Sequence, residues 1–151
     1  METIIEKTAT TLGDLIIINN DRYEGYQKAM DQTEDQDLRT LFSMLSMQSK
    51  ANNASLRSLV PAGEEAPDRD ETRLSGKFYR VWMDVKNALS SNNRKNVLES
   101  CEQGEDVAKK AYENALADRK VLKPEAVATI QKQYDELLEA HNKVRVLRDN
   151  A

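Results

Sequence analysis

The first thirty residues carry apolar side chains at Ile5, Leu12, Leu15, Ile16, Tyr23, Tyr26 and Met30. Apart from the adjacent pair Leu15-Ile16 the gaps are three, four and seven, which places these residues on one face of an α-helix and leaves no strand-like alternation of period two. Thr3 before the pattern and Glu6 three residues on form a capping-box signature, so the helix is expected to start after Thr3 and run to about Asp31. A helix of this length with one apolar stripe must find partners for that stripe, and the rest of the chain supplies them. With only 5 Gly and 3 Pro in 151 residues, few turns are available, which favours long helices over a β-sheet.

The polar turn 31–37 leads to a second helix from about Gln36 to Val60, with Leu38, Leu41, Leu45, Leu56 and Leu59 inward and Pro61 and Gly63 as the stop. So short a connection makes the first two helices an antiparallel hairpin. After a charged loop, a shorter helix is expected from about Asp70 to Leu89, with Phe78, Val81, Trp82, Val85 and Leu89 as its stripe. Ser90 to Asn93 stops it and caps the next, which covers about Asn93 to Asp118 with Val97, Leu98, Cys101, Ala108, Tyr112, Ala115 and Leu116 inside. Lys123-Pro124 opens the last helix, lined by Val127, Ile130, Tyr134, Leu137, Leu138 and Val144 to about Asn150. The expectation is one all-α domain over residues 1–151: an antiparallel four-helix bundle of two hairpins, with an extra amphipathic helix in the crossover between them.

A net charge of −4 and a pI near 5.2 argue against a general nucleic-acid binder. The longest apolar run, Leu15 to Ile18, is far too short to span a membrane, and the N-terminus lacks a signal-peptide pattern, so a cytoplasmic setting is expected. Cys101 has no second cysteine to pair with and is expected to be a small buried hydrophobe. An exposed stripe on the Trp82 helix would mark a subunit contact, making a homo-oligomer a candidate assembly.

Several polar residues fall within the apolar arcs: Asn19, Gln48, Asn52, Glu105 and His141, the only histidine. All lie near the middle of their helices, so a buried polar layer is expected there. Unpaired, each would cost about 1–3 kcal/mol, so something must satisfy them. Two solutions stand open. Glu105 accepts from His141 while Asn19, Gln48 and Asn52 bridge one another, or a metal ion is held by Glu105 and His141 with Glu102 or Gln48. Along the same helix, Glu99 and Asp106 are expected to be solvated, with Glu102 at the border of the arc. A nucleophilic Cys101 paired with His141 is disfavoured by Glu102 and Glu105 beside it.

The stretches Asp21-Arg22-Tyr23-Glu24-Gly25-Tyr26, Trp82-Met83-Asp84-Val85-Lys86-Asn87-Ala88-Leu89, Cys101-Glu102-Gln103-Gly104-Glu105-Asp106 and the ending from His141 to Asp149 resemble the ferritin-like superfamily, and within it the DUF2383 family of uncharacterised bacterial four-helix-bundle proteins. The resemblance implies a ferritin-like bundle but no assigned activity. A ferritin-like di-iron site would take a Glu from each of two helices and a Glu-x-x-His from each of the others. Glu105 and His141 match, but Leu138 stands three before His141, and Asn19, Ser49 and Asn52 stand where stronger ligands would be needed. The expected protein is a non-enzymatic bundle with a degenerate metal site and a hydrogen-bonded polar core. The alternative is a divergent binder of iron or a similar metal, tied to metal handling or oxidative stress. No cofactor is favoured.

Overall fold

The computed structural model describes residues 2–68, 71 and 77–151, the side chains of 77 and 78 apart, and the described secondary structure is all helical. Helix α1 (Ile4–Asp31) starts at the expected capping box: the Thr3 hydroxyl accepts from the Glu6 amide and the Glu6 carboxylate accepts from the Thr3 amide, each at 3.1 Å. Asp35 caps α2 (Gln36–Ser58) by accepting from the amides of Asp37 and Leu38. Two residues short of the expected end, α2 gives way to a turn through Leu59 and Val60, followed by Gly63 at φ +86°. Helix α3 (Lys77–Ser90) covers the expected crossover helix from residue 77 on, whereas Glu71, near its expected start, is not helical; residues 70 and 72–76 and the Phe78 side chain lie outside the described residues. Asn92, at φ +54°, turns the chain into α4 (Arg94–Ala117), capped by Asn93. A single 3₁₀ turn (Arg119–Val121) then leads to α5 (Pro124–Asp149), with Pro124 in the first turn, where its missing N–H costs nothing.

The hydrogen bonds between helices give their directions. On α1 and α2, Asn20 meets Asn53 and Gln27 meets Ser46. On α4 and α5, Tyr112 meets Gln133 and Glu102 meets Arg148. Between the hairpins, Asn19 meets Tyr112 and Arg22 meets Glu105, while Gln133 meets Asn52 and Lys143 meets Met44. In every case rising numbers on one helix match falling numbers on the other, so α1 runs antiparallel to both α2 and α4, and α5 to both α4 and α2. Helices α2 and α4 therefore point the same way, and the intervening chain must climb back the length of the molecule. Helix α3 lies on that return path and packs on α4 and α1. Arg57 ties the start of the return by donating to the carbonyls of Pro67 and Asp68, and Asn20 donates to that of Glu71.

Burial follows the stripes except at Ile5, which is 44% exposed in the first turn of α1, and the apolar interior falls into two clusters. One gathers Tyr26, Leu38, Leu41, Phe42, Leu45, Val81, Val85, Leu98, Cys101 and Val144. The other gathers Leu12, Leu15, Ile16, Leu56, Ala108, Tyr112, Ile130 and Leu137. Between them lies a polar belt.

Candidate functional site: a polar belt and a histidine cluster

The belt has two tiers. In the first, each long helix contributes one residue. Asn52 (α2) donates to the Asn19 side chain (α1) at 3.3 Å, Asn19 donates to the Tyr112 hydroxyl (α4) at 2.9 Å, and Tyr112 donates to the Gln133 side-chain carbonyl (α5) at 2.6 Å. Gln133 closes the ring by donating to the Asn52 backbone carbonyl at 3.2 Å. The spare Asn19 donor reaches the Leu15 carbonyl.

The second tier is an ion pair sealed from water. Arg22 Nη2 lies 2.6 Å from Glu105 Oε1 and Arg22 Nε lies 2.9 Å from Oε2, with both side chains only 1% exposed. Arg22 Nη1 donates to the Ser49 hydroxyl and the Leu45 carbonyl, and the Tyr26 hydroxyl donates to Glu105 Oε2 at 2.8 Å. In neither tier is a buried side-chain nitrogen or oxygen left without a hydrogen-bond partner. Burial works against the Arg22 charge, but Glu105 more than compensates and holds the guanidinium pKa above its usual value. The same carboxylate adds to burial in raising the Tyr26 hydroxyl well above the phenol range.

The expected bond from His141 to Glu105 is not made. The inward line of α5 runs through Ile130, Gln133, Leu137, Ala140 and Val144, all buried, so His141 sits one residue past Ala140 on the flank toward α4. There its Nε2 lies 2.8 Å from Asp106 Oδ1 and 3.9 Å from Glu102 Oε1. Glu102 is held at its other oxygen by Arg148, 2.5 Å away. Asp106 is thus exposed, as expected, yet partnered. Asn19 and Asn52 do meet in the belt, whereas Gln48 stands half-buried at its edge with Oε1 unbonded. Of the four residues considered for a metal, Glu105 is in the core, His141 and Glu102 are together on the α4–α5 flank, and Gln48 is hydrogen-bonded to neither group.

These residues do not fit a ferritin-like di-iron centre. The carboxylate in the two tiers described is Glu105, and both its oxygens are occupied by a guanidinium and a phenol. A divalent pair needs several anionic oxygens to offset its charge, and a fixed protein cation already neutralises this one.

Two core residues not foreseen from the sequence, Arg22 and Gln133, lie on the stripes themselves. Leu15, Asn19, Arg22 and Tyr26 are spaced four, three and four, and Ile130, Gln133 and Leu137 three and four. The spacing was a usable signal; an arginine there is easily passed over because its length lets it reach solvent from most positions.

Cys101 is buried beside the ion pair, and burial together with Glu105 pushes its thiol far above the usual range. Iodoacetamide at pH 8 is therefore expected to leave the native protein unlabelled and to label it fully in denaturant. The unfolded thiol ionises near pH 8.5 while the folded one keeps its proton, so stability falls as pH rises above that value, by up to about 1.4 kcal/mol per pH unit. Urea melts of Cys101→Ala should show a shallower loss between pH 8.5 and 10; an unchanged slope would refute this.

Among curated proteins no significant match is found. A family model does match, spanning residues 7–118 and so α1 to α4 with the Arg22–Glu105 pair, while Gln133 and His141 on α5 lie beyond it. With most of its length matched, the chain belongs to the family defined by the domain of unknown function DUF2383.

Proposed function

We propose that this protein is a ferritin-like four-helix bundle in which an internal ion pair takes the place of a metal centre, and that it acts without catalysis, through its surface. The observation that carries this reading is the Arg22–Glu105 pair, bidentate and 1% exposed at mid-bundle. The antiparallel neighbours and the long return between α2 and α4 support the ferritin-like arrangement. The surface role is supported by apolar side chains facing solvent, Met44 and Met47 on α2, Tyr79 and Met83 on α3 and Val146 on α5, which suit contact with a protein partner or a second copy. Among the described residues, no helix is long and apolar enough to cross a membrane.

The test compares metal content, and melting with iron, manganese or zinc, between the wild-type chain and Arg22→Met/Tyr26→Phe/Glu105→Leu. This triple change removes the core charges with their partner hydroxyl and keeps the volume apolar. Equal metal content and equal response are expected. Stoichiometric metal in the wild type that disappears from the triple variant would overturn the reading and restore Glu105 as a metal ligand.

A further inference from the structure

We infer that Glu102, Asp106 and His141 form a binding site for a single first-row divalent cation of the zinc class on the flank between α4 and α5. Glu102 and Asp106 stand one turn apart on α4, and His141 faces them from α5; one donor atom from each lies within 4.8 Å of the other two. In a tetrahedral zinc site with bonds of about 2.0–2.2 Å, donor atoms stand roughly 3.3–3.6 Å apart. The observed Nε2 separations of 2.8 and 3.9 Å bracket that range, so a change of side-chain torsion suffices and no helix has to move.

Further features suit a cation. The same imidazole nitrogen, Nε2, faces both carboxylates, so one ion between them would meet all three donors. Arg148 and Glu102 form an outer pair at Oε2, which fixes the carboxylate while Oε1 faces the histidine, the arrangement by which outer partners orient metal ligands. Two carboxylates against that one guanidinium leave the group net negative when the imidazole is neutral. His141 and Glu102 have side chains 13% and 16% exposed, and Asp106 is 55% exposed, so the ligands are positioned on one side and the fourth coordination place opens to solvent. One nitrogen and two oxygens suit zinc and its neighbours better than magnesium or calcium, which take oxygen ligands.

Zinc chloride is the probe, with the full, tag-free chain measured by equilibrium dialysis and thermal melting. One zinc per chain is expected. At a free concentration a hundredfold above Kd, the melting temperature should rise by about 5–11 °C. His141→Gln and Asp106→Asn, both at partly exposed positions, should each weaken zinc at least tenfold and abolish the rise. The Arg22→Met/Tyr26→Phe/Glu105→Leu variant should bind as the wild type does, which separates this site from the core. No retained zinc and no rise at millimolar zinc would overturn the proposal, as would binding unchanged in either ligand variant; neither result bears on the ion pair in the core.

Discussion

Replacing either Arg22 or Glu105 by alanine will destabilise the protein by about 3–5 kcal/mol, whereas removing the two together with Tyr26 will cost little or stabilise it. The asymmetry follows from where the charges sit. Both side chains are 1% exposed, so the ion left by a single change has neither its partner nor water. Glu105→Ala strands a guanidinium with Ser49 and the Leu45 carbonyl as its remaining partners, and Arg22→Ala strands a carboxylate with only the Tyr26 hydroxyl. Arg22→Met/Glu105→Leu removes both desolvation penalties but orphans that hydroxyl, at about 1–3 kcal/mol, which is why Tyr26→Phe belongs in the set. Ser49 needs no substitution. The Leu45 carbonyl released by Arg22 lies one turn back on its own helix, a standard acceptor for a serine hydroxyl. In thermal melts each alanine variant should fall by roughly 6–20 °C and the triple variant should hold or rise. If the single and triple variants fell equally, the pair would be contributing net stability through its own attraction, and the desolvation argument would fail.

The helices were legible because their cause is local: stripes, caps and stops lie within a few residues of each other, and Thr3, Asn93 and Pro124 mark true starts. The all-helical class and the crossover helix follow from the same signals. The belt was legible in outline only. Asn19 and Asn52 stand out as amides on an apolar line, but which partner Glu105 takes depends on helix rotation and register between hairpins, set by packing across the core. A shift of one residue on α5 decides the matter: Ala140 points inward and His141 does not. With His141 on the flank, its partners are Glu102 and Asp106, the second of which reads as a solvated surface residue from the sequence because its exposure is real while its partner is distant along the chain.

Gly25→Ala will destabilise the wild-type protein yet stabilise a Trp82→Ala background. In a helix interior, alanine is favoured over glycine by about 1 kcal/mol, so on propensity alone the change should help at position 25. Space forbids it: a Cβ there would lie 1.9 Å from Trp82 Cε2, inside the indole. That ring cannot simply swing aside, because it packs edge-on against Tyr26, with centroids 4.9 Å apart at 79°, and touches both apolar clusters. Moving it disturbs Tyr26 and, through the Tyr26 hydroxyl, the carboxylate of the core pair. Overpacking of this kind costs about 1–3 kcal/mol. Trp82→Ala alone should cost about 3–5 kcal/mol at most, since the ring is only partly buried, and it vacates the space that Cβ would enter. With the clash gone, the helix preference for alanine should return and the double variant should exceed Trp82→Ala by up to about 1 kcal/mol. Urea denaturation of the four proteins checks this through the sign of the Gly25→Ala effect in each background. A reversal of sign would place the contact between α1 and α3 at Gly25 and Trp82, making the glycine the residue that lets the crossover helix close over the ion pair. The same loss in both backgrounds would mean that the glycine is needed by α1 for some reason other than the tryptophan.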